Sequence, residues 1–362
     1  MTITRNRILS LLLGCTLSLH ASFATAALKS KVQGFVDEIV VTAGLKPEVK
    51  AFVDEIVKEH ALFKEEVSEL LKQAEFRQDI INKMTGRAER KSWYQYRPIF
   101  LNEKRISQGV KFWSENEGLL REAERIYGVD AAIIVAILGV ETYYGKRTGT
   151  TKVLDALYTL AFGYPKRAPF FRKELKQFIL LSGEAGFDPA KVTGSYAGAM
   201  GASQFISSSY RNFAVDFDRD GKTDLWGSKA DMIGSIANYF YVHHWNKGAP
   251  VAVRAGNVDP NKHRKLFFSD SGRPLREVVV AGDTPNHSVN ALFQAGIRPH
   301  ENLDGDAMAY LMPFETSKNR FDYWFGLDNF YVITRYNRSP LYAMAVYQLS
   351  REIAARRRAS GE

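Results

Sequence analysis

The stretch from Val129 to Leu138 constrains this chain most. It reads Val-Asp-Ala-Ala-Ile-Ile-Val-Ala-Ile-Leu and runs straight into Gly139-Val140-Glu141-Thr142. Asp130 stands where an N-cap would, and the apolar run behind it is long enough for about three helical turns. Glu141 falls one turn after Ile137 and Leu138, on their side of that helix. A carboxyl group so placed is partly desolvated, which disfavours its charged form and raises its pKa. A carboxylic acid still protonated near neutral pH can donate a proton to a leaving glycosidic oxygen. A lone glutamate there also has a plainer reading, as the first exposed residue at a helix end, so the surrounding sequence has to decide.

The chain is 362 residues long, 45% hydrophobic and 25% charged, as expected of a soluble globular protein with two or three compact units. No segment beyond residue 27 reaches the ~18–20 apolar residues that span a bilayer. Residues 1–26 read as an export signal: Arg5 and Arg7 precede an apolar stretch from Ile8 to Leu19, and Ala24-Thr25-Ala26 is a small-x-small cleavage site. Leu12-Leu13-Gly14-Cys15 resembles a bacterial lipobox, which would instead put a lipidated Cys15 at the mature N-terminus. Both readings stay open. Cys15 is the only cysteine, so cleavage after Ala26 leaves a chain without disulfides. The formal charge of +9 becomes +7 once residues 1–26 are removed. A basic exported protein is drawn to an anionic polymer or surface, and nucleic acid is not the expected target in that compartment.

Residues 28–85 show short amphipathic helices, with Phe52, Val53, Ile56 and Val57 and then Val67, Leu70 and Leu71 at helical spacing. Phe35 to Val40 reappears letter for letter at Phe52 to Val57, a local duplication too short for a solenoid. After a polar break at 85–91 comes the aromatic cluster Trp93 to Phe100. The pattern predicts helices over 107–127, ending at Gly128, and over Leu154–Phe162, 168–183 and 229–245. Residues 247–318 change character, with scattered Pro and Gly and short β-branched runs, and read as a small α+β insertion. Aromatics return from Asp322, and a last helix over about Leu341 to Arg357 ends in arginines suited to a helix C-terminus.

Two further stretches carry chemistry. Ser195 to Phe205, Ser-Tyr-Ala-Gly-Ala-Met-Gly-Ala-Ser-Gln-Phe, is a small-residue loop that lets backbone approach a bulky ligand. Gln204 offers an amide donor and an acceptor to hydroxyl and acetamido groups. Asp216, Asp218, Asp220 and Asp224, with Gly221 at the sixth place, match the start of an EF-hand calcium loop, in which Lys222 would offer its carbonyl. The pattern fails at the twelfth place, Gly227, and the next acid is Asp231. The seven histidines show no metal-ligand spacing.

Gly-Val-Glu-Thr at 139–142, Gly-Ala-Met-Gly-Ala-Ser-Gln-Phe at 198–205, Asn238-Tyr239-Phe240 and Thr334-Arg335-Tyr336-Asn337 together resemble the lytic murein transglycosylase B family, from about Phe52 to the last helix. The resemblance implies a mainly α (α+β) fold: a lysozyme-like core, an all-helical N-terminal domain and a small inserted α+β domain. The boundaries expected on that basis are 27–120 for the helical domain, 121–246 for the core with its EF-hand-like loop, 247–318 for the insertion and 319–362 for the segment that completes the cleft. It implies Glu141 as the only catalytic carboxylate, acting first as acid and then as base toward the 6-hydroxyl of N-acetylmuramic acid (MurNAc), so that a 1,6-anhydro sugar forms without water.

The resemblance also places Ser195, Gln204 and Phe205 beside the cleaved bond, and Tyr96, Tyr239, Tyr336, Asn337 and Tyr342 along the cleft. Arg167 matches one of two adjacent arginines facing acidic peptide or lactyl groups, with Lys166 in place of the other, which keeps charge but loses the bidentate fork. Ile206-Ser207 stands where the family has Met-Pro. A structural calcium held by Asp216, Asp218, Asp220, Lys222 and Asp231 is implied, with no cofactor for catalysis. The partner is the glycan strand of peptidoglycan, in the periplasm of a Gram-negative bacterium, with the enzyme soluble or held at the outer membrane through Cys15. A water-using muramidase needs a second carboxylate, and a non-catalytic peptidoglycan-binding scaffold needs no buried acid; these are the competing readings.

Overall fold

The computed structural model describes residues 41–85, 91–267 and 283–361; the export signal, Cys15 and the 35–40 copy of the duplicated hexapeptide lie outside them. Among the described residues no helix is long and apolar enough to cross a membrane. The chain separates into two compact units, one ending at Glu75 and the other beginning at Phe76.

In the first unit, α1 (Pro47–His60) opens on a proline, whose fixed φ and missing N–H suit a first helical position, and ends at Ala61 with φ 52°. Its stripe of Val49, Phe52, Val53 and Ile56 is buried at the spacing of one helical face, and α1 packs on α2 (Lys64–Lys72), which buries Val67 and Leu71.

The second unit starts with α3 (Gln78–Thr85), α4 (Trp93–Phe100), α5 (Glu103–Glu115), α6 (Glu117–Tyr127) and α7 (Ala131–Thr142). The helical domain expected over 27–120 is therefore divided, because residues from 76 onward pack with the core: α3 lies on α8 (Val153–Gly163), and the Arg77 N–H donates to Thr159 Oγ1 at 2.9 Å. The helix expected over 107–127 is two helices. Asn116 ends α5 and begins α6, with its Nδ2 donating back to the Phe112 carbonyl at 2.7 Å, the competition for backbone partners that makes Asn a helix breaker. Gly128, at φ 71°, closes α6.

α7 is apolar all round and buried from Ile133 to Val140, as a helix enclosed on every side must be. It packs against α5, α6, α11 (Lys229–Val242) and the long last helix α14 (Pro340–Ala359). Asp130 occupies the N-cap position of α7, but its side chain makes no capping hydrogen bond. A two-residue ladder joins β1 (Thr151–Lys152) to β2 (Thr193–Gly194), and α9 (Ala168–Ala185) and α10 (Ser207–Phe213) flank the loop between β2 and α11.

Five strands between residues 252 and 326 form an antiparallel sheet in the order β4-β6-β7-β3-β5: β3 (Ala252–Gly256), β4 (His287–Ser288), β5 (Arg298–Pro299), β6 (Met308–Ser317) and β7 (Arg320–Gly326). Its own core is Val289 and Leu292 of α12 (Val289–Gln294) with Ile297, Ala309, Leu311, Phe325 and Leu327. The sheet runs past the boundary expected at 318, because β7 pairs with β6 in hairpin register from Ser317↔Arg320 to Tyr310↔Gly326. The chain then returns through α13 (Asp328–Tyr336) to α14.

Candidate active site

Glu141 lies one residue before the end of α7, where the chain turns sharply: Tyr143 and Tyr144 both take left-handed conformations, φ 54° and 63°. Gly139 allows this. A Cβ there would stand 2.7 Å from Tyr144 Oη, so only glycine leaves room for that ring to fold back on the helix and donate to the Arg105 carbonyl at 2.8 Å. Thr142 fastens the turn to the small-residue loop. Its Oγ1 donates to the Ala202 carbonyl at 2.9 Å and accepts from the Gly145 N–H at 3.0 Å.

The Glu141 side chain keeps partial solvent access, but the protein packed round its carboxyl pushes its pKa up to about 7. The one opposing influence is Tyr342 at the start of α14, whose hydroxyl donates to Glu141 Oε1 at 2.6 Å. Burial and then the charge of Glu141 push Tyr96 up to about 12. The same two causes, in the same order, hold Tyr336 and Tyr342 well above the ordinary tyrosine range. Three tyrosines from α4, α13 and α14 thus surround one carboxyl, and no second carboxylate of the described residues acts on it. Tyr336 also donates to the Ser203 carbonyl at 2.6 Å, which locks α13 to the small-residue loop.

Several of the side chains expected beside the sugar are engaged by the protein itself. Ser195 Oγ accepts from the N–H groups of Ala197 (3.3 Å) and Ala199 (3.0 Å), so it shapes the turn. Gln204, at φ 51°, donates through Nε2 to the carbonyls of Thr148 (3.1 Å) and Gly201 (3.0 Å); its donors are occupied and its Oε1 is the part left for a ligand. Phe205 and Tyr239, expected to contact sugar, are 2% and 6% exposed. Their rings pack against each other and against Tyr336 in tilted and edge-to-face pairs, so they position Tyr336 from below. Asn337 is exposed just past α13. Lys166 and Arg167 are exposed in a short turn before α9, and the Arg167 guanidinium stacks on Phe170, its carbon 4.3 Å from the ring centre.

The aspartate-rich loop brings Asp216, Asp218 and Asp231 together, one carboxylate oxygen of each lying within 4.8 Å of the others. Asp231 is buried, and its two oxygens accept from the N–H groups of Phe217 (2.8 Å) and Asp224 (2.7 Å). Burial raises its pKa, and the negative charges of Asp218 and Asp216 add to this; a cation would relieve both. This all-oxygen donor set fits calcium. The Asp220 carboxylate lies beside this cluster and accepts from the Lys222 N–H at 2.8 Å. The loop reaches the site through the Leu225 carbonyl, which accepts from the Ala202 N–H at 2.8 Å. Gly201, at φ 66°, permits this approach, since a Cβ would fall 2.5 Å from the Leu225 carbonyl oxygen.

Residues 44–351 match the family described as the transglycosylase SLT domain. The chain belongs to this family. It is 39% identical over 308 residues to membrane-bound lytic murein transglycosylase B of Escherichia coli (strain K12), covering 82% of this chain and 80% of that protein. Soluble lytic transglycosylase SltB1 from Pseudomonas aeruginosa superposes with a TM-score of 0.78 at 45% identity, over 87% of this chain and all of that one. E. coli Slt35, solved in complex with calcium, superposes with a TM-score of 0.76 at 39% identity, over 86% of this chain and 94% of that one. The protein is thus a peptidoglycan lytic transglycosylase of mainly α, lysozyme-like fold.

For this transglycosylase, sequence reading gave no role to Thr142, Tyr144 or Arg105. The signal for Tyr144 was present: a glycine inside an otherwise bulky apolar run, at 139, announces that something large lies against that face.

Proposed function

We propose that the enzyme cleaves the MurNAc–GlcNAc β-1,4 bond of peptidoglycan without water, with Glu141 as acid and then base. The observation that carries this is the solitary Glu141 carboxyl, raised to about 7 and ringed by Tyr96, Tyr336 and Tyr342 with no second acid acting on it among the described residues. At neutral pH about half of such groups hold a proton to give. Glu141 protonates the leaving oxygen as the C1–O4 bond breaks. The carboxylate that results is held by the Tyr342 hydroxyl at 2.6 Å. It then takes the proton of the MurNAc 6-hydroxyl as O6 bonds to C1. The 1,6-anhydro ring closes, Glu141 is protonated again, and no water is consumed. A hydrolase needs a second carboxylate to form a covalent intermediate or activate water; an internal hydroxyl already in place substitutes through proximity.

Gln204 Oε1, Asn337 and the tyrosine hydroxyls are the polar groups assigned to the sugars, and Lys166 and Arg167 the cations assigned to acidic groups beyond them. Asp216, Asp218, Asp220 and Asp231, with the Lys222 carbonyl, would hold a structural calcium that stiffens the Ala202–Gln204 loop; the grouping of three of these acids and the Slt35 complex with calcium support this reading. The periplasm is the assigned compartment, whether the N-terminus is cleaved after Ala26 or lipidated at Cys15.

Mass spectrometry of the fragments released from purified peptidoglycan tests the reading. Wild type should yield anhydro-muramic ends, one water lighter than reducing ends. Glu141→Gln should bind peptidoglycan and release nothing. Reducing ends from the wild type, or cutting by the variant, would overturn it.

A further inference from the structure

Four cations gather at the turn after Glu141, and none has an acidic partner among the described residues. The Arg105 guanidinium carbon lies 5.1 Å from the ring centres of both Phe100 and Tyr143. One of its terminal nitrogens donates to the Gly139 carbonyl, and its Nε is buried without a partner. Lys146 Nζ is 5.9 Å and the Arg147 guanidinium carbon 5.5 Å from the same Tyr143 ring. The other contact of Lys146 is Gln108 Oε1 at 2.8 Å, a neutral group. Lys229 Nζ sits at the same turn, 3.5 Å from where a Cβ on Gly145 would stand.

A solvated surface spreads its cations apart or intersperses acids. Here three of the four converge on one ring, and Arg105 is half-buried. Burial lowers the pKa of Arg105, Tyr144 and Tyr143 raise it and Arg147 lowers it, and no carboxylate is among these influences. The charge does not serve the acid: none of these cations is among the influences on Glu141, which are burial and the Tyr342 hydrogen bond. Nor is the turn remote from the sugars, because Gln204 Nε2 holds it through the Thr148 carbonyl at 3.1 Å. Lys146, Arg147 and Lys229 are exposed and open to a ligand.

We propose that Arg105, Lys146, Arg147 and Lys229, arrayed about Tyr143, form a binding site for the carboxylates of the peptide stem carried on the glycan strand. This rests on the function proposed above, and the site is separate from Lys166 and Arg167 before α9. Arg147 makes the direct contact with the carboxylate, Lys146 and Lys229 add charge, and Arg105 holds the Tyr143 ring as their platform.

The test compares Lys146→Gln/Arg147→Gln with wild type on two substrates: peptide-bearing glycan strands, and the same strands stripped of peptide by an amidase. The expected result is a KM raised about tenfold or more on peptide-bearing strands, the loss of one charge-assisted contact, with kcat unchanged. Peptide-free strands should be cut alike by both proteins. Salt should raise the wild-type KM on peptide-bearing strands more steeply than that of the variant, which keeps Arg105 and Lys229, and Lys146→Arg/Arg147→Lys, which keeps both charges, should recover most of the loss. Equal loss on both substrates would mean that the residues only shape the turn, and no loss on either that they bind nothing; either outcome overturns the proposal. So would charge-dependent binding to phosphatidylglycerol vesicles, lost in the variant while its cleavage stays normal. If wild type cuts neither substrate, the function itself fails, and that outcome is distinct from the others.

Discussion

Replacing Glu141 by Gln should stabilise the folded protein, and by an amount that depends on pH. Burial raises the Glu141 pKa to about 7 from an ordinary value of 4.5. A group whose folded pKa lies above its unfolded one binds more protons when folded, so stability falls as pH rises between the two values. For this pair the loss between pH 5 and pH 8 is at most about 2.5 kcal/mol, by integrating the linkage relation. The residual solvent access of Glu141 reduces this to roughly 1–2 kcal/mol. Glutamine does not titrate, keeps an oxygen to accept from Tyr342, and escapes the loss. The assay is urea unfolding of both proteins at pH 5 and pH 8. The variant's advantage should be larger at pH 8 by the stated amount. An advantage equal at the two pH values would refute the desolvation argument, and with it the reason given for a proton on Glu141 at neutral pH.

Three further outcomes follow from single contacts. Tyr342→Phe removes the hydrogen bond that lowers the Glu141 pKa, so the alkaline limb of the pH–rate profile should move up from about 7 while kcat falls about tenfold, the value of a hydrogen bond to a charged group; an unmoved limb would show that the bond does not tune the acid. Gly139→Ala drives a methyl into Tyr144 Oη and should cost about 1–3 kcal/mol, seen as a lower thermal midpoint, and an unchanged midpoint would mean that the Tyr144 turn yields freely. Calcium should raise the thermal midpoint of wild type and chelation lower it, with Asp231→Asn indifferent to both; an equal response in the variant would remove Asp231 from the site.

The sequence carried the helical layout well because the periodic stretches are long and their stops are chemical. Gly128 and the run into Glu141 are legible without any structure. The break at Asn116 is not, because the residues on both sides of it favour helix and a single side-chain bond decides the matter. The end of the inserted sheet was misplaced because the aromatics of β7 look the same in a strand as in a cleft wall; hairpin pairing with β6 distinguishes them, and pairing is not local. Within the site, the types of residue were visible but not their orientations. Phe205 and Tyr239 face inward, which depends on α13 bringing Tyr336 over them, its hydroxyl hydrogen-bonded to a carbonyl 133 positions earlier. The clustering of Asp216, Asp218 and Asp231 was legible because the alternating acids fix the loop; the two backbone N–H groups that hold Asp231 were not, since they come from Phe217 and Asp224 through the fold of the loop.

The hydroxyl that steadies Glu141 comes from a residue 201 positions later, on the last helix. A ribosome that has made everything up to residue 339 has therefore produced the acid without its partner, and without the helix that covers α7. Truncated or still-emerging chains should be inert toward the wall. An enzyme that cuts the polymer holding its own cell together thus acquires its blade only once α14 has been made.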